Sequence, residues 1–124
     1  MKRQFSLFLF LTFLATSQFV FGQQTVPKEV FLNTINGVNE LKLSNLKTSE
    51  LMEYNAGYSD KVYDILGSDK SDKDKVSALK VLNNDKEKDL VDLLGNKEFK
   101  KYSRLMEESL KPLIKKNKLI KHLL

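Results

Sequence analysis

Few side chains in this 124-residue chain could carry catalysis. It has no cysteine and one histidine, His122, so no Cys-His or Ser-His-Asp nucleophile set or zinc site is expected. Glu107 and Glu108 are adjacent and do not converge on one site. The acidic stretch 69–74 lacks the glycine of a calcium loop and has lysine where an oxygen ligand is needed, which favours a solvated turn. We therefore expect no enzyme activity, no cofactor and no bound metal.

The first 22 residues are predicted to form a secretory signal peptide. Lys2 and Arg3 form a positive start, and a mostly apolar stretch over 5–15 follows. A transmembrane anchor is disfavoured, because spanning a bilayer takes roughly 20 apolar residues. Cleavage is placed after Gly22, with a weaker alternative at 15–17, and the absence of cysteine excludes a lipoprotein anchor. We expect an exported protein, with the periplasm preferred over secretion from the cell.

Residues 23–124 are expected to form a single helical domain. Removing the signal peptide takes away two basic residues and lowers the net charge from +5 to +3. Charges of both signs are interspersed, unlike the concentrated basic face of a nucleic-acid-binding protein. Without cysteine there is no disulfide framework, so stability must come from helix packing, with a homodimer as one way to complete it.

Two stretches that superimpose at a spacing of 48 residues indicate helices. The segment 46–51 matches 94–99, and the apolar residues downstream recur at the same offsets. Steps of three and four residues place them on one face of a helix. The members are Leu51, Tyr54, Tyr58, Val62, Ile65 and Leu66 in the first copy, and Phe99, Tyr102, Met106, Leu110, Leu113 and Ile114 in the second.

The predicted fold class is all-α, with about four amphipathic helices in a hairpin or bundle, because no segment alternates with period two. The first helix, opened by Pro27, is expected to be short or bent because of Gly37. Gly67 is expected to end the second in a left-handed conformation, and Pro112 is expected to bend or locally disrupt the fourth. The third is either continuous or broken near Asn84, with continuity preferred. The last three span about 48–66, 72–94 and 97–116.

The second copy, Leu-Gly-Asn-Lys-Glu-Phe, resembles the Leu-Thr-x-x-Gln motif of the Spy/CpxP family of small, exported, helical envelope proteins. That motif makes sense as a capping box that starts a helix, with the leucine packing as a staple. Lysine and glycine replace the threonine in the two copies, so Thr48 or Ser49 is an alternative cap for the second helix. The matching residues are Leu46 and Glu50 in the first copy, and Leu94, Gly95 and Glu98 in the second.

The resemblance implies a curved helical monomer that dimerises into a cradle. It also implies a chaperone-like protein that binds unfolded clients without ATP, or a protein associated with envelope stress. Tyr63 lies off the apolar stripe of its helix, so it is the tyrosine expected to be exposed to a client or partner.

A basic amphipathic tail over about 115–124 supports an alternative function. Its apolar residues and lysines suit contact with an anionic membrane, or packing on a partner subunit. The alternative is therefore a small secreted helical protein whose tail binds a membrane or a specific partner. The lysines considered as contacts are Lys115, Lys116, Lys118 and Lys121.

Overall fold

The computed structural model describes residues 25–124, of which 82% are helical and none lies in a strand. The all-α prediction is confirmed, and the predicted signal peptide lies outside the described residues. The α-helices are α1 (Lys28–Ile35), α2 (Asn45–Leu66), α3 (Asp72–Leu94), α4 (Asn96–Ser109) and α5 (Lys111–Lys116). Two 3-10 helices span Asn39–Leu41 and Lys118–Leu123.

Serine side chains begin the two longest helices. Ser44 precedes α2 and its Oγ accepts a hydrogen bond from the amide of Lys47 at 3.2 Å. Ser71 precedes α3 and its Oγ accepts one from the amide of Asp74, also at 3.2 Å. Each bond satisfies an amide that has no partner within its helix. The alternative cap at Thr48 or Ser49 is therefore wrong, and α2 begins three residues earlier than predicted.

The end of α2 differs from the predicted left-handed glycine. Gly67 is right-handed, with φ −87° and ψ 0°. Side chains satisfy the last carbonyls instead: Ser68 Oγ donates to the carbonyl of Ile65 at 2.7 Å, and Lys75 Nζ to that of Leu66 at 2.9 Å. With those donors in place, the helix end does not need a left-handed turn.

The third predicted helix is one continuous element, and the fourth is divided in two. α3 runs through Asn84 without a break, as preferred. α4 ends at Ser109 and α5 begins at Lys111, so the helix is locally disrupted just before Pro112, which is the second of the two predicted outcomes. A proline ring clashes with the carbonyl four residues earlier, which explains the position of the break.

The core is formed where the helices pack in sequence, with α1 against α2, α2 against α3, and α3 against both α4 and the C-terminal 3-10 helix. Both copies of the repeat turn their apolar faces inward. The apolar residues that the pattern identified therefore pack in the core. In α1, the Phe31 ring lies 5.8 Å from that of Tyr63 and 6.4 Å from that of Tyr58. Among residues 25–124, no helix combines the length and apolar character needed to cross a membrane.

Candidate functional site

The first copy of the motif does not start a helix. Because α2 begins at Asn45, Glu50 is the sixth residue of the helix, exposed and beyond reach of the Ser44 amide. Leu46 is 69% exposed and anchors nothing in the core. The capping-box interpretation of Leu46 and Glu50 is therefore wrong, because Ser44 supplies the cap from outside the motif.

The second copy does start a helix, by a different contact. Leu94 is buried, and Gly95 precedes α4 with φ 84° and ψ 158°. Its amide donates to the carbonyl of Val91 at 2.8 Å, so Glu98 does not form the reciprocal half of a capping box. Glu98 lies in the first turn of α4, where a carboxylate suits the helix dipole. These residues shape the α3–α4 corner and bring no reactive groups together.

Tyr63 is not the exposed tyrosine that the pattern predicted. Its hydroxyl donates to the carbonyl of Val26 at 2.7 Å, and its ring packs on Phe31. Partial burial raises the pKa of Tyr63. This hydrogen bond holds the segment before α1 against α2. The prediction failed because a tyrosine that lies off the apolar stripe can still reach a backbone carbonyl of a neighbouring segment.

The predicted basic tail separates into two faces. Leu119, Ile120 and Leu123 are buried, and Ile120 is 0% exposed. These apolar residues belong to the core of the chain, which leaves the lysines and Leu124 as the accessible part of the tail. The exposed lysines are Lys115, Lys116, Lys118 and Lys121.

We call residues 118–124 the C-terminal strap, because they cross α3 and close the core on that side. Two side chains of α3 hold the backbone of the strap. Asn83 Nδ2 donates to a main-chain oxygen of Leu124, the last residue of the sequence, at 3.0 Å, and Lys86 Nζ donates to the peptide carbonyl of Leu123 at 2.9 Å. Both bonds address main-chain oxygens, so they do not depend on the side chains of the strap.

Lys86 occupies an unusual place for a lysine. Its Nζ lies 4.9 Å from the centre of the Tyr58 ring, a cation–π contact. No carboxylate in the described part of the chain comes within ion-pair distance of it. Burial lowers the pKa of Lys86 to about 8, although the charge of Glu87 acts in the opposite direction.

A group of polar side chains lies behind Lys86. Tyr102 OH donates to the carbonyl of Ile35 at 3.2 Å, and Asn55 Nδ2 donates to the same carbonyl at 3.1 Å. Burial raises the pKa of Tyr58 and Tyr102, so both phenols are neutral at ordinary pH. The end of α1 is thereby tied to α2 and α4 through one backbone oxygen.

A cavity of about 110 Å³ lies at the end of the strap, between α3 and α4. It is smaller than the roughly 150 Å³ apolar cavity that admits benzene, so it suits a side chain better than a substrate. Within residues 25–124, no three of His, Cys, Asp and Glu cluster as a metal site would require. The lining residues are Asn83, Lys86, Glu87, Phe99, Tyr102, Ser103, Met106, Glu107, Leu123 and Leu124.

The candidate site is therefore the groove under the strap, built by Asn83 and Lys86 over an apolar floor. Sequence reasoning missed both as functional residues. The available signal was the gap in the leucine stripe of α3, where Lys86 falls between Leu82 and Leu90. A polar residue at a core position of a helix requires a hydrogen-bond partner. For Lys86 that partner is the backbone carbonyl of Leu123.

Comparisons with protein-family models, with curated proteins and with solved structures found no match for this chain.

Proposed function

We propose that this chain binds apolar polypeptide segments without ATP, as an exported chaperone-like or envelope-stress-associated protein. The observation that supports the proposal is the groove of α3, whose donors at Asn83 and Lys86 hold a polypeptide by its main-chain carbonyls. The resemblance of the second copy, residues 94–99, to the Spy/CpxP motif agrees with the same function.

The chemistry of the groove suits unfolded clients. Every polypeptide carries backbone carbonyls, so Asn83 and Lys86 can hold segments of any sequence. Affinity would come from apolar side chains, since burying one Leu or Ile is worth about 1.5–3 kcal/mol. The exposed lysines of the tail would speed encounters with acidic clients by long-range attraction.

The alternative is a tail that contacts a membrane or a partner. The strap turns its apolar residues into the core, so the tail offers lysines rather than an apolar face. Contact through lysines alone is screened by salt. The alternative is therefore tested by sedimentation with anionic liposomes, with binding expected to vanish in high salt and in a variant with the four tail lysines replaced by glutamine.

The direct test is light scattering of an aggregating client with purified residues 23–124 at stoichiometric amounts and no ATP. We expect suppression for two unrelated clients, because backbone recognition does not select a sequence. A control variant has serine in place of Val81, which is exposed on α3. This substitution should leave suppression unchanged. Undiminished aggregation of both clients would reject the chaperone function.

A further inference from the structure

We infer that the C-terminal strap is a displaceable occupant of its own groove, and that the exchanging partner is an unfolded segment with the strap's apolar spacing, Leu-Ile-x-x-Leu. This inference rests on the proposed function and adds to it the class of client segment and a means of regulation. In the strap this spacing is formed by Leu119, Ile120 and Leu123, all buried.

The strap is a short element whose start is capped by Asn117, with Oδ1 accepting a hydrogen bond from the amide of Leu119 at 3.1 Å. It is a 3-10 helix, a conformation with poorer hydrogen-bond geometry than the α-helix. The amides of Ile120 and Leu124 donate to backbone carbonyls at 3.2 and 3.3 Å, whereas those of Ile114 and Asn117 in and after α5 donate at 2.9 Å. Beyond these bonds, the strap is held by packing, on α3 in the groove and on α5.

An incoming segment can reproduce those contacts. The bond from Lys86 goes to a peptide carbonyl, and the bond from Asn83 goes to a main-chain oxygen of the last residue, in whose place a client segment would offer its next peptide carbonyl. The three apolar side chains are replaced by those of the client at the same spacing. No feature of the groove is specific to the covalent connection of the strap.

The connection to the strap permits departure without unfolding a helix. Asn117 has extended backbone, with φ −140° and ψ 105°, and separates α5 from the strap. Rotation at this residue would carry the strap away while α5 keeps its own hydrogen bonds. Departure would also return water to the Lys86 ammonium, which has no carboxylate partner in the described residues and which the closed strap keeps half-buried.

The absence of cysteine makes a reversible lock straightforward. Glu87 and Leu124 line the same cavity from α3 and the strap, and both are exposed. Leu124 contacts Asn83 only through a main-chain oxygen, which a cysteine at this position keeps. We would replace Glu87 and Leu124 by cysteine in the full chain and bridge them with a short bis-methanethiosulfonate reagent that reductant removes. The probe is a fluorescein-labelled peptide with the sequence of residues 117–124, followed by anisotropy.

Exchange predicts that the peptide binds the unbridged double variant and binds the bridged form at least about tenfold more weakly, since a bridged strap cannot leave the groove. In the unbridged protein the attached strap still competes at high effective concentration, so the peptide is used in excess. A control peptide with serine at the positions of Leu119, Ile120 and Leu123 should not bind either form. Adding reductant to the bridged protein should restore binding.

Equal peptide binding by bridged and unbridged protein, or no binding by the unbridged protein, would overturn the exchange. Client aggregation that is suppressed equally well by the bridged form would also overturn it and leave the chaperone function standing. A third outcome is peptide binding that the bridge weakens, together with no suppression of aggregation by the unbridged protein. That outcome would reject the chaperone function and support the exchange.

Discussion

At the scale of single residues, Lys86 combines a position on the core face of α3 with a contact to the strap backbone. Its folded pKa is about 8, and an unfolded chain restores the ordinary value of 10.5. Between these two values the unfolded chain carries more protons at this group than the folded chain does. The free energy of unfolding therefore rises with pH in that window.

We predict that the Lys86→Met variant lacks this rise. Between pH 7 and pH 9.5 the native chain should gain about 2 kcal/mol of stability from Lys86, and the variant should not. Urea unfolding at the two pH values measures the difference, and the ionisation of unfolded tyrosines, whose pKa is about 10, is common to the native chain and the variant and cancels in the comparison. Lys88→Met, at an exposed position of the same helix, is the control and should retain the rise. Equal pH dependence in the native chain and the Lys86→Met variant would show that burial of the ammonium is unimportant.

A second residue-scale prediction concerns Ser59. Its Oγ is buried and has no hydrogen-bond partner in the described structure, and the same is true of the hydroxyl of Tyr58, the residue before it in the chain. Ser59→Ala removes the unpartnered group, so it should raise the free energy of unfolding by about 1 kcal/mol. Chemical denaturation measures the change, and a clear loss of stability would mean that the hydroxyl has a partner in solution.

At the scale of elements, the start of α2 distinguishes the serine cap from the repeated motif. Ser44→Ala should lower the free energy of unfolding by about 1 kcal/mol, because it leaves the amide of Lys47 without its acceptor. Glu50→Ala is the matched control, and its effect should stay within about 0.5 kcal/mol, as for an ordinary surface substitution. A larger loss from Glu50→Ala than from Ser44→Ala would restore the capping-box interpretation of the first copy.

The corner between α3 and α4 supplies another element-scale prediction. With φ 84° and ψ 158°, Gly95 occupies a region that is essentially open to glycine alone, so Gly95→Ala should be destabilising by about 1–3 kcal/mol. Gly57 lies exposed within α2 with open space around its missing Cβ, so Gly57→Ala should be stabilising by about 0.5–1 kcal/mol. Thermal melts of the two variants should shift in opposite directions, and a shift in the same direction would contradict the described corner.

At the scale of the whole molecule, one core links α1, the long helices and the strap. Leu79 and Val81 lie two residues apart on α3, the first 0% and the second 61% exposed. Leu79→Ala should lower the free energy of unfolding by about 2–5 kcal/mol, and Val81→Ala should change it by less than about 0.5 kcal/mol. Urea titrations of both variants test which face of α3 is inside, and similar losses would contradict the packing.

The sequence by itself determined the helical class, because apolar residues three and four apart need a helix to share one face. It determined the extent of α3, and the inward orientation of both repeats, for the same reason. The region of Lys86 was visible only as a gap in a stripe, because periodicity carries no information about what packs opposite a polar residue.

Only the tertiary structure decided the rest. Ser44, rather than the repeated motif, caps α2, because its Oγ accepts a hydrogen bond from the amide of Lys47. Tyr63 is partly buried rather than exposed, because its hydroxyl donates to the carbonyl of Val26. The strap was an amphipathic tail in sequence, and its apolar face could have met a membrane, a second subunit or its own core. In the folded chain the apolar face of the strap packs in the core, since α3 offers both apolar side chains and two hydrogen-bond donors for the strap backbone.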